Sequence, residues 1–220
     1  VDFWIILLVL FAGVLPSFII SWFLVAWIER NAGRLGMLDK PGGRKIHTVA
    51  IPLGGGLGIW LAVIVTIAVG SIAVFGLDAS GWGVRLLPVS ISQHLGGLVS
   101  KISEIAVILF CGSLLVLLGL ADDRRGLPWW FRLGVEFAIA ALCVYWQGMR
   151  LTAFLDIPWL TGLLSVLWIV TLINSFNMLD NMDGLSSGVA AISAAVLVLM
   201  LLASPDSTPG PQIFVALMMA

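Results

Sequence analysis

An all-α bundle of membrane-spanning helices is the fold class this sequence predicts, on three observations. Hydrophobic residues make up 60% of its 220 residues and charged ones 10%, where a soluble domain carries roughly a quarter charged. The apolar residues fall in runs of about 20, the length that crosses a hydrocarbon core of about 30 Å. The polar residues that remain gather in a few connections between those runs. Net charge is −1, so bulk charge points to no polyanionic partner, and nucleic acid is not expected among the partners.

The first run, 3 to 28, is too long for the apolar centre of a cleaved signal peptide and lacks the basic leading segment of one. It reads as a spanning helix. The second, 53 to 75, opens on "IPLGGGLGIW", where Gly54 and Gly58 have the spacing that lets two helix backbones pack closely. Packing is the expected use of these glycines, ahead of cradling a phosphate. The third run, 104 to 121, stops at Asp122 and Asp123. The fourth, 131 to 148, holds Glu136, the one charge well inside a run. The fifth, 158 to 176, passes into "NSFNMLDNMDGL", and the sixth, 185 to 203, follows Gly184. A seventh begins near 212. The expectation is therefore six complete spans and the start of another, in a single integral membrane domain over 1–220. That domain ends in the apolar run "QIFVALMMA" and reads as truncated at its C-terminus. Only the connections 29 to 52 and 76 to 103 have room for further local structure. Cys111 and Cys143 lie inside apolar runs without metal-ligand spacing and read as small core residues.

Sidedness follows from Lys and Arg. The first, third and fifth connections hold eight of them, including Arg30, Arg34, Lys40, Arg44, Lys45, Arg124, Arg125 and nearby Arg132; the second and fourth hold three, Arg85, Lys101 and Arg150. Positive residues favour the cytoplasmic side, which puts the N-terminus outside. Three polar blocks then share the cytoplasmic face: "DKPGGRKIH", "GLADDRRGLPWWFRL" and "NMLDNMDGL".

Each block admits two readings. Asp122 and Asp123 suit a charged stop at a helix end, with Arg124 and Arg125 relieving the repulsion between neighbouring carboxylates; they also suit a ligand pair at headgroup depth. Asn174, Asn177, Asp180 and Asp183 recur every three residues, which on a helix keeps the first three on one face. A cap and turn explains one or two such residues, and four in register favour a ligand site. Hard oxygens at an interface suit Mg²⁺, which binds through one or two carboxylates and completes its shell with water and substrate phosphate. Mn²⁺ is the alternative ion. Lys40, Arg44, Lys45 and His47 supply cations on the same face, either for a pyrophosphate or as anchors to anionic membrane lipid.

Taken in order, "DKPGGRKIHTVAIPLGGG", "GLADDRRGLPWWFR" and "NSFNMLDNMDGL" resemble the motifs of the polyprenyl-phosphate N-acetylhexosamine-1-phosphate transferase superfamily, glycosyltransferase family 4. The "RKIH…PLGG" form resembles its WecA- and TagO-like branch, which uses UDP-N-acetylhexosamines, more than the branch that transfers phospho-MurNAc-pentapeptide. The resemblance covers about residues 30 to 190.

What the resemblance implies is a reaction at the cytoplasmic face of a bacterial inner membrane. Undecaprenyl phosphate attacks the sugar-proximal phosphorus of a UDP-sugar, UMP leaves, and a lipid-linked sugar pyrophosphate begins a cell-envelope polysaccharide. By the same resemblance Asp122 is the base or orienter for the lipid phosphate with Asp123 beside it, and both join Asp183 as metal residues. Arg44, Lys45, His47, Arg132, Asn174, Asn177 and Asp180 fall on the substrate-binding positions. A homodimer is left open. Two positions depart from the usual pattern: Arg132 stands where Lys is common and Glu136 where Gln is, and these two, one turn apart, are candidates for a simple ion pair. Asn181 replaces a Gly. The family's later acidic block and its His-rich loop fall beyond residue 220.

A transporter or channel is the rival from another class. It would place polar residues near the midplane of broken helices, whereas here they collect at one surface. The CDP-alcohol phosphotransferases share Asp-rich interfacial motifs, but "DGLSSG" continues without the Arg and Asp that their pattern requires. A purely structural membrane protein leaves the oxygen-ligand stripe without a use.

Overall fold

The computed structural model describes residues 3–39, 50–87, 89–93, 95–148, 150–151, 157–180, 182 and 184–203. The chain is all-α apart from one two-residue ladder: α1 Phe3–Leu35, β1 Leu38–Asp39, β2 Ile51–Pro52, α2 Gly55–Ala79, α3 Trp82–Leu86, α4 Val89–Ser92, α5 Leu95–Arg125, α6 Trp129–Trp146, α7 Pro158–Leu179 and α8 Leu185–Ala203. Five of these helices, in α1, α2, α5, α6 and α7, are long and apolar enough to cross a membrane. α8 is a sixth apolar helix, shorter in its described apolar part, Leu185–Met200. The expected seventh run lies outside the described residues.

Large apolar side chains such as Trp22, Ile72, Trp168 and Met200 are exposed on these helices. In water that pattern would be untenable. In lipid it is the expected one, because hydrocarbon is as apolar as the side chains, and helix association then rests on close packing and hydrogen bonds.

The chain divides into two compact units, one of residues 1–103 and 194–220, the other of 104–193. In the first, α1 is long for a bilayer, at about 50 Å. It stops where the sequence supplies a residue able to turn left-handed: Gly36 has φ 67°, and Met37 N–H bonds back to Ala32 O at 2.9 Å, closing the helix end in a Schellman arrangement. β1 and β2 then pair antiparallel, Leu38 opposite Pro52 and Asp39 opposite Ile51, and Leu53 N–H adds a bond to Met37 O at 2.8 Å. This ladder ties together the base of the first connection, whose basic segment 40–49 lies outside the described residues. Gly54, at φ 99°, starts α2 against Met37 and Ile28. Gly58 lies against Val25, where an added Cβ would stand 3.1 Å from the Val25 backbone nitrogen. The close approach expected of the Gly54/Gly58 spacing is thus made at Gly58.

In the second unit α6 and α7 pack along their length. Ala140 and Val144 of α6 meet Val166 and Val170 of α7, flanked by Leu133, Phe137, Ala141 and Ile169. Toward the start of α7 the face narrows to Thr161, Gly162 and Ser165, all buried, and the Tyr145 ring fills the space a Cβ on Gly162 would need. Ser165 Oγ, donating to Thr161 O at 2.6 Å, accepts the Leu151 N–H at 2.8 Å, so an otherwise unpaired loop amide is satisfied from the helix.

A candidate acidic and amide site on the second unit

The site is built on the turn between α5 and α6. α5 ends at Arg125, and Gly126, at φ 62°, turns the chain out of the helix. The Gly126 N–H returns to Asp122 O at 2.7 Å, and the Leu127 N–H reaches the Asp122 side chain, Oδ1, at 2.8 Å. Pro128, in extended conformation, opens α6, a position where its missing N–H costs nothing. This geometry brings Arg132, in the first full turn of α6, back over α5: its Nη1 donates to Asp122 Oδ2 at 2.5 Å. Arg132 Nε is buried and without a hydrogen-bond partner among the described residues.

One turn farther along α6, about 10 Å from Trp129, Glu136 is 7% exposed. Its Oε2 accepts Nδ2–H of Asn174, on α7, at 2.5 Å, and the same Nδ2 donates to Val170 O at 3.0 Å. The Arg132/Glu136 ion pair that helix spacing allows is not formed, and two other partnerships take its place. Arg132 is held by a carboxylate ten residues before it in the chain, and Glu136 by an amide 38 residues after it. Sequence spacing favours neighbours on one helix, and here the turn and the neighbouring helix supply the partners.

Of the remaining stripe, Asn177 and the C-cap Asp180 are exposed. Each step of three residues turns about 60° around the helix, so Asn174 faces α6 while Asn177 and Asp180 swing progressively off that contact. Asp123 is exposed beside Asp122. Asp183, Arg44, Lys45 and His47 lie outside the described residues. Among the described residues no group of three or more His, Cys, Asp or Glu side chains stands close enough to hold a metal ion. The Leu127 amide and Glu136 contribute without belonging to the oxygen-ligand stripe: the first is backbone, and the second sits one helical turn from Arg132, where spacing alone also allows an ion pair.

An aspartate closed onto a cation, next to an amide locked onto a buried carboxylate, is an arrangement that can hold charged groups. Comparison with known proteins identifies the class: the family model described as glycosyl transferase family 4 matches residues 105–220, and the chain belongs to that family. It is 26% identical over 182 residues, 80% of this chain and 43% of the relative, to the Bacillus subtilis (strain 168) protein named "Probable undecaprenyl-phosphate N-acetylglucosaminyl 1-phosphate transferase". Proteins named undecaprenyl-phosphate alpha-N-acetylglucosaminyl 1-phosphate transferase are 26% identical in Thermotoga maritima, over 81% of this chain and 48% of the relative. The corresponding protein in Escherichia coli K12 is 24% identical over 89% of this chain and 48% of the relative. The chain thus spans a little under half the length of these curated relatives. No solved structure matches it.

Proposed function

We propose that the protein carrying this chain transfers a sugar 1-phosphate, N-acetylhexosamine 1-phosphate, from a UDP-sugar to undecaprenyl phosphate at the cytoplasmic face of a bacterial inner membrane. UMP is released, and the product opens a cell-envelope polysaccharide. The observation that carries this reading is the Asp122–Arg132 pair at the end of the apolar helix α5, a cation held where an anionic lipid headgroup would meet the protein. Support comes also from the names of the relatives, all of which specify undecaprenyl phosphate as acceptor.

In the reaction an oxygen of the lipid phosphate forms a bond to the sugar-proximal phosphorus, and the bond from that phosphorus to the bridging oxygen of UMP breaks. Both partners are anions, so the protein's task is alignment and charge neutralisation. Arg132 serves this at the lipid phosphate. Asp122, accepting from Arg132 and from the Leu127 amide, has the arrangement of an orienter more than of a base, and a phosphate monoester already ionised near neutral pH needs no base. Arg44, Lys45 and His47 are assigned to the pyrophosphate, and Asn174, Asn177 and Asp180 to the nucleotide sugar.

The donor set fits Mg²⁺ in kind. Each Asp122 oxygen accepts one hydrogen bond and keeps a second lone pair, and Asp123 stands exposed beside it. Asp122, Asp123 and Asp183 are the residues that would hold Mg²⁺, or Mn²⁺ in its place, and the bound ion would neutralise charge on the pyrophosphate.

The test uses full-length protein in membranes with undecaprenyl phosphate, Mg²⁺ and radiolabelled UDP-GlcNAc or UDP-GalNAc. Label moving into the organic-extractable lipid is the expected result. Folded protein that moves none from any UDP-amino sugar overturns the reading.

A further inference from the structure

Glu136 is a carboxylate placed where a carboxylate is expensive, buried within a helix apolar enough to span a membrane. Its contact shows what it does to its neighbour. An Asn amide carries two N–H donors on nitrogen and an acceptor on oxygen. Both acceptors that Asn174 meets, Glu136 Oε2 at 2.5 Å and Val170 O at 3.0 Å, lie against Nδ2. The reverse orientation would set Oδ1 against two oxygens, so the network fixes the amide one way round. With its donors taken up, Asn174 has Oδ1, an acceptor, left to offer. Val170 O alone cannot enforce this, because a single backbone carbonyl leaves one N–H unclaimed.

We propose that Glu136 is a positioning residue that fixes the polarity of Asn174, so that Asn174 meets its ligand only as an acceptor. Resting on the proposed function, the inference deepens it: the group met is electron-poor, either an N–H or O–H of the nucleotide sugar or the cation bound with it, and never a phosphate oxygen. Phosphate contacts then fall to the cationic side chains, and a donor placed at 174 works against binding.

The experiment compares Glu136→Gln, Glu136→Leu, Asn174→Asp and the double variant Asn174→Asp with Glu136→Gln, all in the full-length protein. Two readouts are taken: equilibrium binding of UDP-GlcNAc with and without Mg²⁺, and KM for each substrate in the transfer assay. Glu136→Gln keeps an acceptor for the Asn174 amide and is expected to hold affinity within about threefold of the parent. Glu136→Leu frees an N–H and weakens UDP-GlcNAc by about tenfold, leaving KM for undecaprenyl phosphate unmoved. Asn174→Asp sets two carboxylates together and loses binding. Adding Glu136→Gln restores a hydrogen bond of opposite direction, with Asp at 174 still an acceptor, and recovers about tenfold of the loss.

Weakening that persists without Mg²⁺ names the N–H or O–H as the ligand; weakening seen only with Mg²⁺ names the cation. A double variant no better than Asn174→Asp while equally well folded, or a Glu136→Leu variant with parental affinity, overturns the inference and leaves the transfer reaction standing. A parent that binds UDP-GlcNAc without transferring, with the variants in the expected order, overturns the reaction and leaves the inference. A parent that binds nothing overturns both.

Discussion

Asp122 Oδ2 and Arg132 Nη1 close the α5–α6 turn at 2.5 Å, with 21% and 30% of the two side chains exposed. An ion pair so near the surface contributes at most about 1 kcal/mol to stability, so its use is geometric: it holds a guanidinium over the end of α5. Arg132 nevertheless leaves Nε buried without a partner among the described residues, a cost that Lys, having no such atom, would not carry. Arg132→Lys is therefore expected to keep transfer within about tenfold and to unfold no earlier on heating, because the charge is kept but the planar fork is not. Arg132→Met should lose about 100-fold in turnover, the scale for deleting one preorganised cationic or hydrogen-bonding group. The radiolabel transfer assay and thermal unfolding in detergent check both, and parental turnover in Arg132→Met would remove Arg132 from the site.

Asp122→Asn keeps an oxygen for the Leu127 amide but turns an N–H donor toward the Arg132 guanidinium, so both the charge and the hydrogen bond to it are lost. We expect turnover to fall by at least about 100-fold, the scale for losing one preorganised group, with helix content and membrane insertion unchanged. Asp183→Asn should do the same through the metal site. Transfer retained in both variants would sink the site assignment, and transfer lost in Asp122→Asn alone would remove Asp183 from the site.

What was legible in the sequence is what local pattern encodes. Apolar runs gave the helices because span length is set by the bilayer, and α6 and α7 begin and end within a few residues of expectation. α5 instead begins at Leu95, well before the apolar run at 104, because a helix does not need apolar residues to continue: Lys101 is a good helix former, and Ser100 and Ser103 are tolerated at a small cost. The β1–β2 ladder and the short helices α3 and α4 fall in connections where the sequence shows only spare length, since elements of two to five residues carry no hydrophobic period to detect. In the candidate site the residue types were readable and the partnerships were not. Arg132 finds Asp122 only because Gly126 turns left-handed, and Glu136 finds Asn174 only because α6 lies along α7.

Gly58 offers a test of the α1–α2 packing independent of catalysis. A Cβ there would stand 2.8 Å from Val25 Cγ2 and 3.1 Å from the Val25 backbone nitrogen, and backbone yields less readily than a side-chain tip. Gly58→Ala should cost about 1 to 3 kcal/mol in overpacking. Gly56, with nothing within 4 Å of its added Cβ, is the control: Gly56→Ala should be neutral or gain up to about 1 kcal/mol from helix propensity. Thermal unfolding of the two variants in detergent decides, and equal behaviour would mean that Gly58 is not a packing contact.

Removal of the divalent ion addresses the acidic pair from the other side. Chelation is expected to stop label transfer completely and reversibly, with Mg²⁺ and then Mn²⁺ restoring it. In Asp123→Asn, restoration should need a Mg²⁺ concentration raised by about tenfold or more, as for a lost ligand or one of its supports. Transfer that survives exhaustive chelation would exclude the ion and leave Arg132 and the first-connection cations to neutralise the pyrophosphate.

Asn174 and Asn177 are of one residue type, three positions apart, and should respond differently because the helix turns between them. Asn174 is half-buried and donates to Glu136; Asn177 is exposed. Asn174→Ala strands a buried carboxylate without its donor, which should cost about 1 to 3 kcal/mol of stability as well as activity. Asn177→Ala removes only what the side chain offers a ligand, so turnover should fall while thermal unfolding in detergent stays at the parental temperature. Combining Asn174→Ala with Glu136→Leu removes both members of the pair, and the stability lost by Asn174→Ala should largely return, since no polar group is then left unpaired. Activity should not return with it. A double variant as unstable as Asn174→Ala would mean that the loss arises from packing around position 174 and not from the carboxylate, and the hydrogen bond between α6 and α7 would then be incidental to the fold.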